Sequence, residues 1–171
     1  EEPTFANALL DSITEASIRY LQAQVRAGAD LVQIFDSWAG VLSDDLYREF
    51  MMPRLQRMCE ALSPMVPVTV FAKGGGHLLP QLADLHCRTL GLDWQTNPRK
   101  ARQWVGEEKT LQGNLDPSIL YAGPETIRKK TQEMLVNFGT RRHIANLGHG
   151  VYPDVDPEHV KVFVETVQKS V

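Results

Sequence analysis

The sequence holds 171 residues, 43% hydrophobic and 23% charged, and its 18 Lys+Arg against 21 Asp+Glu give a formal net charge of −3. These values exclude a disordered tail, a collagen-like fibre and a disulfide-stapled scaffold, and suit one medium-sized globular unit with a real core. No run of about 18 apolar residues is present to span a membrane, and the missing basic excess argues against a nucleic-acid-binding surface.

The first predicted element is a helix. From Phe5, the apolar residues Leu9, Ile13, Ala16 and Tyr20 recur at three or four, and Gly28 supplies a stop. Leu31-Val32-Gln33-Ile34-Phe35 is near-continuously apolar, as a strand buried on both faces would be. Ser43 can cap a second helix with Asp44 and Asp45 in its first turn, and Pro53 should kink or divide it. A second strand reads over Pro67-Val68-Thr69-Val70-Phe71-Ala72, a helix from Leu78 to Cys87, and a third strand over Thr89-Leu90-Gly91-Leu92. Strands four and five are Thr110-Leu111-Gln112-Gly113 and His143-Ile144-Ala145-Asn146-Leu147.

Four later helices begin with proline at a position where its missing N–H costs nothing: Asn97-Pro98, Asp116-Pro117, Gly123-Pro124 and Asp156-Pro157. Asn97, Asp116 and Asp156 double as caps. Ile127, Leu135 and Phe138 mark one late helix face, and Val160, Phe163, Val164 and Val167 another. The order is a helix followed by five βα units, hence α/β with a parallel sheet. No linker interrupts residues 1–171, which read as a single unit. A (β/α)8 barrel takes about 250 residues, so the pattern reads as part of one.

Cys59 and Cys87 lack CxxC spacing and sit in helix-like stretches, as buried thiols in a reducing compartment would. The start, Glu1-Glu2-Pro3-Thr4, has no initiating Met and no signal peptide, and reads as the middle of something longer.

In parallel α/β barrels the chemistry sits where strands end. The five ends carry Asp36-Ser37-Trp38-Ala39-Gly40, Lys73-Gly74-Gly75-Gly76-His77, Asp93-Trp94, Asn114-Leu115-Asp116 and Gly148-His149-Gly150. Asp116 reads as a helix cap. Asp93 serves either its own loop or a substrate, Ser37 either a turn or a site, and His77 either a surface loop or a site. The Lys73 to Gly76 stretch resembles a phosphate cradle but lacks P-loop spacing. His149, between two glycines after a buried strand, is the sharpest candidate. His86 and His159 fall in predicted helices, and His143 opens a strand at the opposite end; none is a candidate. No H-x-x-x-H or H-x-C pair suggests a metal, no G-x-S-x-G a hydrolase triad, and no G-x-G-x-x-G a dinucleotide.

Four of these stretches together, Gln33-Ile34-Phe35-Asp36-Ser37-Trp38-Ala39-Gly40, Gly91-Leu92-Asp93-Trp94, Leu111-Gln112-Gly113-Asn114-Leu115-Asp116-Pro117 and Asn146-Leu147-Gly148-His149-Gly150, resemble the uroporphyrinogen decarboxylase family. The resemblance runs along the chain and on through Asp156-Pro157-Glu158-His159, and covers about the C-terminal half of that family's usual length. It implies the C-terminal five βα units of a (β/α)8 TIM-type barrel with the N-terminal strands absent. It implies cofactor-free decarboxylation of the four acetate side chains of uroporphyrinogen III to coproporphyrinogen III in haem biosynthesis. It further implies a homodimer in the complete protein and a cytoplasmic location, or a plastid one given an upstream transit peptide. Ser37 matches the family's site serine and His149 the histidine of its N-L-G-H-G motif, so the resemblance assigns both to substrate carboxylates and gives His149 a proton-transfer role; Asp36 and Lys73 lie nearby. The family's pyrrole-binding aspartate, arginines and site tyrosine have no counterpart here; Tyr20, Tyr47, Tyr121 and Tyr152 match none of them. Two alternatives stand beside this reading: a zinc methyltransferase of the same superfamily, or a non-catalytic truncated half-barrel.

Overall fold

A computed structural model describes residues 3–170, and its internal contacts divide the chain into two compact units, Glu1–Leu90 and Gly91–Val171. The division falls inside the third strand, where no shift in composition marks it. Five strands follow the chain order in one sheet, alternating with helices as expected for five βα units.

In the first unit, α1 (Pro3–Arg26) ends before Gly28, whose φ of 108° suits glycine. Its buried stripe is Thr14, Ile18 and Leu21, packed on α3 (Met52–Leu62). Phe5, Leu9, Ile13 and Tyr20, which carry the sequence periodicity, are exposed. The helix bears two stripes, and the polar clasp to α3 selects between them. Arg54, 8% exposed, donates from Nε to Asp11 (3.0 Å) and from Nη2 to the Asn7 side chain (2.7 Å).

Strand β1 (Val32–Asp36) pairs in parallel with β2 (Val68–Ala72), in the register Val32↔Val68 through Asp36↔Ala72. All five β2 residues are buried, as a continuous apolar run requires. The Ser43 hydroxyl caps α2 (Asp44–Leu46), accepting from Leu46 N at 3.4 Å. The break expected at Pro53 takes the form of a wide π-type turn, Tyr47–Met51, leading into α3. Proline has no N–H for the preceding turn and crowds its carbonyl, so the ladder widens there.

The helix expected from Leu78 to Cys87 is corrected to one turn, α4 (Leu79–Leu82), after a 3-10 segment Gly76–Leu78. His86 therefore lies in a bend after α4, not in a helix. Leu78, Leu79, Leu82 and Leu85 are nonetheless buried, so the apolar pattern served a compact turn rather than a helix face. Cys59 and Cys87 are both buried.

Strand β3 (Thr89–Gly91) leads into the second unit, where α5 (Pro98–Val105), β4 (Thr110–Leu115), a 3-10 helix Pro117–Tyr121, α6 (Pro124–Phe138), β5 (His143–Leu147) and α7 (Pro157–Gln168) follow. Asn97, Asp116 and Asp156 each accept backbone N–H groups at the starts expected of them. β4 and β5 run parallel with Leu111↔His143 and Leu115↔Leu147, and α6 packs on α7. On α7, Phe163 and Thr166 are buried and Val164 is exposed, a slight rotation of the expected face.

His143 begins β5 with its ring 3.9 Å from that of Phe138 and nearly parallel to it, and its Nε2 donates to the Gly113 carbonyl at 2.8 Å. Burial holds the imidazole below its ordinary 6.5, against the opposing pull of that carbonyl. The unfolded chain takes up a proton near pH 6.5 that the folded chain resists, so this residue's contribution to stability is present above that pH and is lost as pH falls below it. Urea midpoints measured between about pH 7.5 and about pH 5 are expected to fall more steeply for the parent chain than for His143→Gln.

Candidate active site

Parallel strands deliver their following loops to one end, so the residues after each strand are the ones free to meet a ligand. In the first unit this end is built around Asp36. Its Oδ2 accepts from the hydroxyl of Tyr47 at 2.9 Å, its Oδ1 from Trp38 N at 3.4 Å, and its backbone carbonyl from Lys73 N at 3.0 Å. Tyr47 is fully buried, and burial, reinforced by the Asp36 charge, pushes its hydroxyl well above the ordinary tyrosine value. It is thus a neutral donor committed to the carboxylate. Asp36 spends its oxygens on shaping the turn, and Ser37 stands exposed on that turn with no hydroxyl partner among the described residues. Trp38 beside it is 78% exposed.

Glycine sets the next contact. Gly40 N donates to the Lys73 carbonyl at 2.9 Å, and a Cβ on Gly40 would lie 2.8 Å from the Gly74 Cα, with Gly74 itself at φ 71°. The glycines after Lys73 therefore serve close backbone approach and the turn into Gly76–Leu78. His77 is exposed in the 3-10 segment Gly76–Leu78, not in an open loop, and its Nε2 lies 3.3 Å from Asp44 Oδ1. Asp36, Ser37 and Lys73 are brought together at this strand end.

The second unit builds its own cluster from Asp93, Trp94, Asn114 and His149. Asp93 is 2% exposed and turned into its loop, where Oδ1 accepts from Gln95 N (3.1 Å) and from the Thr96 hydroxyl (2.9 Å). Asn114 Nδ2 donates to the Asp93 and Thr96 carbonyls at 2.6 and 2.7 Å. Of the two readings open for Asp93, the structure therefore takes the loop. Gly148 N donates to the Leu115 carbonyl at 2.7 Å, and any Cβ on Gly148 would strike Trp94 N. That approach brings the exposed His149 edge-to-face against Trp94, with ring centroids 6.3 Å apart and planes at 88°. Asp116 caps its helix through Ser118 N, and His159 Nδ1 donates to the Leu120 carbonyl at 2.7 Å, a packing role.

Sequence reasoning passed over two participants. Tyr47 has no local signature, because its partner is eleven residues upstream. Trp94 ends the Gly91-Leu92-Asp93-Trp94 stretch, but its neighbour His149 is 55 positions away. Among the described residues, no three His, Cys, Asp or Glu side chains are grouped to hold a metal ion, and no helix is long and apolar enough to cross a membrane.

The profile of the uroporphyrinogen decarboxylase family matches residues 1–170. A uroporphyrinogen decarboxylase of Photorhabdus laumondii is 47% identical over 174 aligned positions, covering 98% of this chain and 49% of that protein. One from Alcanivorax borkumensis is 46% identical, covering 97% and 49%. The chain thus spans about half the length of the curated relatives it matches. Among solved structures, a methyltransferase from Methanosarcina mazei superposes with a TM-score of 0.86 at 27% identity over 96% of this chain and 49% of that one. A B12-independent methionine synthase from Shewanella shares the fold, with a TM-score of 0.65 at 15% identity over 97% of this chain and 54% of that one.

Gly40→Ala should destabilise the first unit by about 1–3 kcal/mol through backbone displacement, and Tyr47→Phe by about 1–2 kcal/mol through loss of the Asp36 hydrogen bond. Chemical denaturation checks both, and a midpoint unchanged in Gly40→Ala would show that the Gly40–Gly74 contact is not limiting.

Proposed function

The chain belongs to the uroporphyrinogen decarboxylase family, and from that membership we propose that it supplies part of an enzyme converting uroporphyrinogen III to coproporphyrinogen III in haem biosynthesis. The observation that carries this reading is the match over residues 1–170, together with an exposed His149 held on Trp94 by a glycine that tolerates no side chain. Four acetate groups each lose carbon dioxide and become methyls.

The chemistry follows from the substrate. Protonation of a pyrrole carbon beside the acetate-bearing one makes a cationic ring. The bond between the methylene and the carboxylate then breaks, its electron pair enters that ring, and carbon dioxide leaves. A second proton delivered to the exocyclic carbon completes the methyl as the ring proton departs. The substrate is its own electron sink, so the reaction calls on no metal or organic cofactor. The protein's tasks are to bind carboxylates, hold protons and exclude water. Ser37 donates its unengaged hydroxyl to a substrate carboxylate. His149 binds a second carboxylate through a ring N–H and can pass a proton there. Asp36 and Lys73 shape the Ser37 turn. In the complete protein we place the enzyme in the cytoplasm as a homodimer, and we expect the 171-residue chain by itself to form no coproporphyrinogen.

Fusing this chain to the complementary half of the Photorhabdus laumondii relative gives a protein whose turnover of uroporphyrinogen can be assayed. In that fusion, His149→Asn should lower kcat/KM by about 10- to 100-fold, and Ser37→Ala by about fivefold, as expected for lost hydrogen bonds to charged groups. Parent-like turnover in both variants would remove these residues from the site.

The likeness to the Methanosarcina mazei methyltransferase raises a second reading, methyl transfer; the zinc that would activate a thiol acceptor does not fit the described residues, among which no three His, Cys, Asp or Glu side chains are grouped to hold it. Stoichiometric zinc in the purified chain would support it.

A further inference from the structure

The loop between β5 and α7 carries His149 and is pinned at its start by Gly148 and at its end by Asp156, whose Oδ1 accepts from Glu158 N at 2.9 Å. Between these pins stand Val151, Tyr152, Pro153 and Asp154, all exposed. Val155 N donates to the Tyr152 carbonyl at 3.2 Å, closing a turn with Pro153 at its second position. One side chain from elsewhere in the second unit grips this turn. Tyr121, at the end of the 3-10 helix Pro117–Tyr121, donates its hydroxyl to Asp154 Oδ1 at 2.5 Å, and its ring stacks on that of Tyr152 with centroids 6.0 Å apart and planes at 23°. The base of Tyr121 is rigid, because Leu120 is fully buried and its carbonyl accepts from His159 Nδ1.

Tyr121 is itself 51% exposed, so its two contacts are poorly explained by core packing. Both fall on residues three and five positions after His149. We propose that Tyr121 and Asp154 are positioning residues that hold the His149 loop, so that the imidazole stays against Trp94 and meets a substrate carboxylate without first paying to order its own backbone. This rests on the role given to His149 above. Loops flanked by glycine lose much conformational freedom on ordering, and a clamp made beforehand removes that loss from the binding step. The clamp acts on the turn at Tyr152 and Asp154, both exposed, so its loss should weaken binding and leave the fold standing.

The test uses the 171-residue chain with three substitutions: Tyr121→Phe and Asp154→Ala, which delete the hydrogen bond, and Asp154→Asn, which keeps an acceptor oxygen in the same place. Amide hydrogen exchange over residues 148–152 should quicken by about tenfold in the first two and stay near parent in the third, while exchange over β5 is unchanged in all three. The second readout is the His149 ring resonance titrated with uroporphyrin, a stable octacarboxylate probe. Its apparent affinity should fall about three- to tenfold in Tyr121→Phe and Asp154→Ala and recover in Asp154→Asn. Unchanged loop exchange, or quickened exchange with unchanged affinity, would overturn the positioning role while leaving His149 a binding residue. A His149 resonance that does not respond to uroporphyrin in the parent chain would instead remove His149 from carboxylate binding, and the clamp's role with it.

Discussion

A Cβ on Gly40 would sit 2.8 Å from the Gly74 Cα, one on Gly113 would sit 2.7 Å from the Leu92 carbonyl oxygen, and one on Gly148 would strike Trp94 N. Each of these approaches occurs in or just after a strand. Parallel strands bring their exits side by side, and two loops leaving adjacent exits have room to pass only where one lacks a side chain. Backbone-to-backbone contact at the strand exits is therefore the constraint on which the candidate active-site ends of both units depend.

What that constraint does for chemistry is to separate groups that hold the loops from groups that face outward. Asp36 and Asp93 stand at two of the strand ends, and both accept hydrogen bonds from the protein itself. Asp36 is held by the Tyr47 hydroxyl and Trp38 N, and Asp93 by Gln95 N and the Thr96 hydroxyl. A carboxylate that has accepted two hydrogen bonds from the protein is a poor partner for an anionic substrate, but it fixes the residue beside it. Ser37 and Trp94 are those residues. A group that donates to anions, serine or histidine, is left exposed, while the negative charges are engaged by the protein's own donors. That division suits the polycarboxylate substrate of the proposed reaction.

The comparison of sequence with structure turns on range. Asn97, Asp116 and Asp156 cap as read, because a cap is decided within three residues. The break at Pro53 was legible for the same reason, although its form as a widened turn was not. The apolar periodicity of α1 identified a helix but not its buried side, since Phe5, Leu9, Ile13 and Tyr20 face outward while Thr14, Ile18 and Leu21 are covered. Periodicity reports that a stripe exists, whereas burial depends on what arrives to cover it. The leucines of the Leu78 to Cys87 stretch are spaced to suit a helix, and the Pro80-containing chain instead buries them in one turn and a bend.

By itself, the sequence determined the α/β order, the helix starts and the buried thiols, because each depends on residue type and near neighbours; it offered His149 by its glycine setting and Ser37 by family resemblance, and their exposure comes from the fold. Only the tertiary structure decided which polar groups remain available. Tyr47 reaches Asp36 across eleven residues, Trp94 meets His149 across 55, and Tyr121 clamps Asp154 across 33. No local pattern encodes such pairings. They arise when, within each unit, parallel strands that each carry their own loop bring distant parts of the chain together.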